Sequence, residues 1–418
     1  MKPLLLSTED IDGGAARAAY RLHQGLQTIA VPSQMLVRRK LSIDATVIAQ
    51  KSALTRLGPL MNGLPVKFYR HRDRSMISAQ WFPDQVVPKV QQLAPDLINL
   101  HWVCNGYLQI ETMAKFNKPL VWTLHDMWPF TGGCHYPQEC DRYTDSCGTC
   151  PRLKSQQDWD LSHWVWQRKI KAWKSLDLTI VSPSLWLAEC ARASSLFQDL
   201  RIEVIPHGLD TETYRPIERS LARQLLKLPQ DKQLVLFGAA SDAIGDLRKG
   251  FHLLHAALQS LSQSGWQAKI ELVVFGASQP EPPVDLGFRA HYLGRFHDDI
   301  SLALLYAAAD VMLVPSMQEA FGQTASESLA CGRPVVAFNA TGLKDIVEHQ
   351  QNGYLAKPFE VKDLAQGIAW VLEDGDRHQK LCHHARATAV QEFTQKQQAH
   401  RYLSLYRQIL AKGDRKYI

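Results

Sequence analysis

Short apolar runs alternate with longer helical patterns along almost the whole chain, and that rhythm admits few architectures. Leu4–Ser7, Gln34–Val37, Leu97–Val103, Leu120–Leu124 and Leu178–Val181 are the runs of the first half. Leu234–Phe237, Ile270–Phe275, Tyr292–Leu293, Val311–Val314 and Val335–Phe338 are those of the second. Such alternation argues for βα units and parallel sheets. With 418 residues there is room for two domains, each large enough for its own core. The stretch Val204-Ile205-Pro206-His207-Gly208-Leu209-Asp210 reads as a strand end followed by a turn, and the junction is placed there. The expected fold is α/β, with two Rossmann-like doubly wound domains facing a central cleft. Residues 1–205 form the first domain and 206–393 the second, followed by an amphipathic packing helix within 394–418. Ligands of such domains sit at the carboxyl ends of the strands.

Composition excludes more than it identifies. Hydrophobic content of 45% and charged content of 21% are ordinary for a globular chain. No apolar stretch approaches the roughly 20 residues of a membrane helix, and Leu4-Leu5-Leu6 is too short for a signal-peptide core. A soluble, cytoplasmic protein is expected. The net charge of +6 is uneven. Arg38, Arg39, Lys40, Lys51, Arg56, Lys67, Arg70, Arg72 and Arg74 fall in one stretch holding only Asp44 and Asp73 as acids. An anionic membrane surface or a lipid-diphosphate acceptor suits such a patch, as does a plain solvated basic face. No recognition-helix or aromatic-platform pattern accompanies it, so nucleic acid is not an expected partner.

Chemistry concentrates in a few junctions. Glu319 and Glu327 bracket a glycine and a hydroxyl where Val311–Val314 gives way to a helix over Thr324–Cys331, stopped by Gly332. A phosphate at that helix start meets free N–H groups and the positive dipole end. The two carboxylates are then able to take hydroxyls on either side of it, which suits a sugar nucleotide. Arg248 and Lys249 precede a second helix, where cations oppose the dipole unless an anion sits there. Gly13-Gly14 follows the first strand and permits close backbone approach, though the pair also fits an ordinary βα turn. His125 ends a strand run at the expected cleft lip.

Four of the eight cysteines cluster: Cys134, Cys140, Cys147 and Cys150, within an insertion at about 130–152. Cys147-Gly148-Thr149-Cys150 has the spacing of a zinc knuckle, and thiolates on a structural Zn²⁺ are able to fold a loop poor in apolar residues. Disulfides and unlinked thiols remain the alternatives.

Together these elements resemble the GT-B retaining glycosyltransferases of family 4. The resemblance is carried by Gly13-Gly14, His125-Asp126, Ile205 to Asp210, Lys249-Gly250, Glu319 through Glu327, Cys331 to Ala337, Asn352 to Leu355 and Asp363-Leu364-Ala365. It implies that Glu319 holds donor-sugar hydroxyls and Glu327 the nucleotide ribose. It implies backbone contacts to donor sugar and phosphate from Phe321, Gly322, Gln323 and Thr324. Lys249 and Arg248 would neutralise the diphosphate, Gly14 would touch it from the other domain, and His125 would bond to the donor sugar. Leu293, Gly294, Arg295 and Phe296 would face the base. The family's C-terminal helix commonly crosses back to the first domain. Two departures stand out. Gly238 is followed by Ala239 where the family usually has arginine, a role Arg248 is expected to take, and His207 replaces a usual asparagine, an exchange expected to be harmless. The implied activity is sugar transfer from a nucleoside-diphosphate sugar to a glycan or lipid-linked acceptor in surface polysaccharide assembly, with no catalytic cofactor and a possible structural zinc. An inactive nucleotide-sugar-binding partner, or an epimerase on the same fold, is the alternative.

Overall fold

The computed structural model describes residues 1–73, 75–238 and 246–414. Arg74 and Ala239, both invoked above, lie outside the described residues. The chain divides into two compact units, one of Met1–Gly208 together with the segment from Gln395 onward, the other Leu209–Thr394.

Strands of the first unit are β1 (Pro3–Glu9), β2 (Gln34–Arg39), β3 (Val47–Ala49), β4 (Leu97–Leu100), β5 (Leu120–Thr123), β6 (Leu178–Ser182) and β7 (Arg201–Val204). They form one sheet in the order β3-β2-β1-β4-β5-β6-β7, every pair parallel. Around it lie α1 (Gly14–Thr28), α2 (Ala53–Lys67), α3 (Val86–Leu93), α4 (Leu161–Trp173) and α5 (Leu185–Ala193). Order reverses between β1 and β4, which opens a crevice at their carboxyl ends. Central strands such as β4 and β5 are buried at every position, as a sheet covered on both faces requires.

In the second unit, α6 (Arg219–Leu225), α7 (Phe251–Leu261), α8 (Asp299–Ala308), α9 (Gln323–Ala330), α10 (Val361–Leu372) and α11 (Gly375–Glu392) surround a second parallel sheet. Its strands are β8 (Gln233–Gly238), β9 (Ile270–Phe275), β10 (Ala290–Tyr292), β11 (Val311–Val314), β12 (Val335–Phe338) and β13 (Gly353–Ala356). The order is β10-β9-β8-β11-β12-β13, so this sheet reverses between β8 and β11. Leu234, Leu236, Met312 and Val335 pack on one face, Val235, Phe237, Val311 and Val336 on the other.

Helix α12 (Gln395–Asp414) belongs to the first unit, where it lies along α1. A Cβ on Gly25 would stand 2.9 Å from Gln395, so only glycine allows that approach. The α12 residues Ala399, Tyr402, Leu405, Tyr406 and Ile409 join the core. Asn99 donates to the Tyr406 hydroxyl at 2.8 Å, and Tyr402 and Thr123 share a hydroxyl bond of 2.8 Å. No helix of the described residues is long and apolar enough to cross a membrane.

Candidate active site

In the second unit, the candidate groups gather at the order reversal between β8 and β11. Beyond β11 the chain runs through Pro315 and Ser316 to Gly322, whose φ of +112° suits glycine and which opens α9 without a side-chain cap. Past β8, a turn of 3₁₀ helix over Leu247–Lys249 ends at Gly250, with φ +69°. A Cβ there would meet the Pro315 carbonyl oxygen at 1.9 Å, so backbone presses on backbone. Met317 N–H donates to the Arg248 carbonyl at 2.7 Å, and the Arg248 guanidinium donates to the Gln318 carbonyl at 3.2 Å and to Asp246 at 2.8 Å.

This clamp sets Lys249 against Glu319, whose Oε1 accepts from the ammonium and, at 3.0 Å, from the Ser316 hydroxyl. Burial raises the Glu319 carboxyl, but Lys249 and Arg248 outweigh it and hold the group below the usual carboxylate range. The pair sits beside the start of α9, where Gln323 and Thr324 are half-buried. Phe321 turns into the core, edge-on to Phe393 at 5.7 Å.

Glu327 stands one turn further along α9. It is 5% exposed, on the buried side of α9, and accepts from the Tyr306 hydroxyl of α8 at 2.8 Å. Arg295 is exposed in the loop after β10, the edge strand two places from β8, and so stands apart from Lys249 and Glu319 in the sheet.

In the first unit, Gly13 takes φ +89° and Gly14 begins α1 at the carboxyl end of β1, beside the order reversal. His125, just beyond β5, stands between two other imidazoles. His101, following β4, shares a 3.0 Å hydrogen bond with it, Nδ1 to Nε2, and His207 stacks on it at 5.0 Å with planes 20° apart. Burial lowers all three; His125 is brought to about 4. At neutral pH the trio is therefore uncharged, able to exchange hydrogen bonds without carrying a cation. The sequence reading assigns neither His101 nor His207 a contact; His207, standing where the family usually has asparagine, stacks on His125. Both follow strand ends, a signal that marks them once the sheet order is known.

Asp126 braces the same loop. Its carboxylate accepts from His135 at 2.6 Å, from Trp102 at 2.8 Å and from the Trp128 N–H at 2.9 Å. His135 follows Cys134 directly, so the cysteine segment is tied to the strand end that carries His125. Cys134, Cys140, Cys147 and Cys150 all line one small cavity of about 20 Å³. Gly132 N–H donates to the Cys147 sulfur at 3.1 Å, and the N–H groups of Arg152 and Leu153 to that of Cys150. All four are free thiols, and burial pushes Cys147 up to about 12. Among the described residues, no three His, Cys, Asp or Glu side chains are already drawn together as a metal-binding set.

A larger cavity, of about 560 Å³, opens at the carboxyl ends of β2 and β3 and the start of α2. Arg38, Arg39, Lys40, Lys51 and Arg56 line it with Ser52.

Comparison with known proteins bears on the family and the fold. The family described as Glycosyltransferase Family 4 matches residues 13–213, and that described as Glycosyl transferases group 1 matches residues 222–388. The chain is 34% identical over 310 residues to the D-inositol 3-phosphate glycosyltransferase of Xylanimonas cellulosilytica, covering 70% of this chain and 67% of that one. Among solved structures it superposes on sucrose-phosphate synthase of Thermosynechococcus elongatus with a TM-score of 0.70 at 21% identity, over 98% of this chain and 99% of that one. Anabaena HepE, crystallised with UDP and glucose, gives 0.66 at 20% identity over 97% and 99%. At such identities the two structures speak for the fold, which is GT-B, while the family matches and the Xylanimonas relative speak for descent. The chain belongs to glycosyltransferase family 4.

Proposed function

We propose that this glycosyltransferase moves a sugar from a nucleoside-diphosphate sugar to a hydroxyl of a glycan or lipid-linked acceptor, with retention, in surface polysaccharide assembly. The observation that carries the reading is the Lys249–Glu319 pair beside the start of α9, at the order reversal of the second sheet. Arg248, Lys249 and the N–H groups of Gln323 and Thr324 take the diphosphate, and Glu319 takes hydroxyls of the donor sugar. HepE, of like fold, was crystallised with UDP and glucose, which supports a nucleotide-linked donor. The bond from the anomeric carbon to the diphosphate breaks, and the acceptor oxygen bonds to that carbon on the same face. The acceptor's proton passes to the departing phosphate oxygen, and His125, uncharged, orients the sugar.

The Xylanimonas relative is named for an acceptor that carries a phosphate, and the cavity of Arg38, Arg39, Lys40, Lys51 and Arg56 in the first unit is chemically suited to one. A structural zinc held by Cys134, Cys140, Cys147 and Cys150 belongs to the same reading. The ion would have to draw in thiols that now line the cavity wall, and its gain is to fix the loop behind His135 and Asp126.

The test begins with thermal shifts against UDP-, GDP-, ADP- and CMP-linked sugars. A ligand at about 100 times its dissociation constant adds roughly 2.7 kcal/mol. The stabilising donor is then incubated with phosphorylated polyol and polyprenyl-phosphate acceptors, and the anomeric configuration of the product is read by NMR. Inversion would overturn the retaining assignment, and no shift with any member of the panel would overturn the donor assignment.

A further inference from the structure

The neighbouring strands β4 and β5 each lead into a histidine, and the two imidazoles differ in what surrounds them. His101 is 2% exposed. Its N–H donates to the Leu6 carbonyl at 2.9 Å and its carbonyl accepts from the Trp122 indole at 3.1 Å, so the backbone beneath the ring is held on both sides. The ring meets His125 through Nδ1 at 3.0 Å, while its Nε2 is enclosed without a hydrogen-bond partner among the described residues. His125 is only half-buried. Its Nε2 is engaged by His101, whereas its Nδ1 neither bonds to a described residue nor is enclosed.

That asymmetry fixes the direction of the shared bond. A neutral imidazole carries one proton and one lone pair. Burial keeps both rings neutral at neutral pH, so the bond has two possible directions. If His125 donated through Nε2, His101 would accept at Nδ1 and hold its own proton at Nε2. That N–H would be enclosed with nothing to receive it, one of the rarest and costliest arrangements in a folded chain. If His101 donates through Nδ1, its enclosed Nε2 keeps only a lone pair, a less costly orphan. His125 is satisfied in either direction, because its Nδ1 reaches water or ligand as donor or as acceptor. The enclosed ring therefore decides for the open one.

We infer that His101 is a positioning residue, whose Nδ1–H donates to His125 Nε2 and holds His125 as the tautomer protonated at Nδ1. His125 then meets a ligand with an N–H and no lone pair at that nitrogen. It is able to give a hydrogen bond to a hydroxyl or phosphate oxygen and unable to take the acceptor's proton there, and its one lone pair is occupied by His101. The part this plays in sugar transfer rests on the reading of His125 as a donor-sugar contact; the tautomer itself does not.

The tautomer is read on the full chain, labelled with nitrogen-15 in histidine, by multiple-bond proton–nitrogen NMR at about pH 7.5. His125 is expected to be protonated at Nδ1 and bare but hydrogen-bonded at Nε2, and His101 protonated at Nδ1. Loss of signals in His125→Gln and in His101→Phe assigns the two rings. A His125 protonated at Nε2 overturns the inference, whatever the donor proves to be. The positioning role is read by transfer. His101→Asn keeps an amide N–H near the place of Nδ1 and is expected to hold kcat/KM within about threefold, with the His125 signals unchanged. His101→Phe fills the place of the ring and donates nothing. It is expected to move the His125 Nε2 signal to that of an unbonded nitrogen and to lower kcat/KM about tenfold or more. Transfer at the wild-type rate by His101→Phe, or an equal loss in both variants, overturns the positioning role. Should His101→Phe melt early, the wild-type spectrum still decides the tautomer.

Discussion

His207 stacks on His125 with ring centroids 5.0 Å apart, so the turn that closes the first unit reaches back to the strand end carrying its candidate catalytic histidine. On the other edge of His125 stands His101, bonded to it at 3.0 Å. An imidazole held between two imidazoles, all kept neutral by burial, is an acid-labile arrangement.

Its pH dependence follows from the sign of those shifts. His23, His101, His125 and His207 all titrate below the ordinary histidine value in the folded chain, His23 and His125 at about 4. The unfolded chain takes up these protons near pH 6.5 and the folded chain does not, so their contribution is present above about pH 6.5 and lost as pH falls toward 4. Each such group costs up to roughly 1.4 kcal/mol per pH unit in that window. Denaturant unfolding followed from pH 7.5 to 4.5 is expected to show this decline. His207→Asn is expected to flatten it while lowering the rate of transfer. A curve level through pH 5 removes the argument.

Lys249 and Glu319 are expected to act differently when removed singly. Glu319→Gln keeps shape and loses the carboxylate, and a loss of about 100-fold or more in kcat is expected with nucleotide binding retained. On the proposed reading Lys249→Ala removes a diphosphate contact, and it is expected to weaken the binding of UDP or its counterpart as well. Isothermal titration with the nucleoside diphosphate separates the two. Equal effects of both variants on nucleotide affinity would contradict the division of roles.

Gly250→Ala tests the clamp. The new Cβ meets the Pro315 carbonyl oxygen at 1.9 Å, backbone against backbone, in a left-handed conformation. A loss of about 2 kcal/mol or more is expected, with donor binding lost first because the turn carrying Arg248 and Lys249 is displaced. Circular dichroism melting and thermal shift with the donor measure the two effects.

The cysteine cavity predicts one zinc per chain, by elemental analysis after exhaustive gel filtration. Cys147→Ser and a strong chelator are each expected to release the metal and lower the melting temperature. Four freely titrating thiols in native protein without zinc would remove the metal assignment.

Much of the strand framework was legible because a buried parallel strand must be apolar along its length. Every long run named from sequence contains a strand; Leu120–Leu124 overran by one residue and Leu97–Val103 by three, the strand stopping at Leu100 where the chain turns toward His101. The edge strands β3 and β13 were not read, nor was β7 beyond its end, because a short strand at a margin carries little apolar pattern of its own. Glu319 and Lys249 were legible as motif residues, but their contact spans 70 positions and exists because the sheet order sets β8 against β11.

What the sequence determined by itself was therefore local: which segments bury apolar surface, where glycines must turn the chain, and where cations and carboxylates punctuate strand ends. Only the tertiary structure decided that Glu327 turns inward to Tyr306, that His101 bonds to His125 while His207 stacks on it, and that α2 buries Gly58 and Asn62 while showing its leucines outward. The physical reason is that periodicity reports how apolar one face is, whereas the choice of which face turns inward is made by neighbours distant in the chain. For α2 that neighbour is Gly106, whose missing side chain lets Gly58 come within backbone contact.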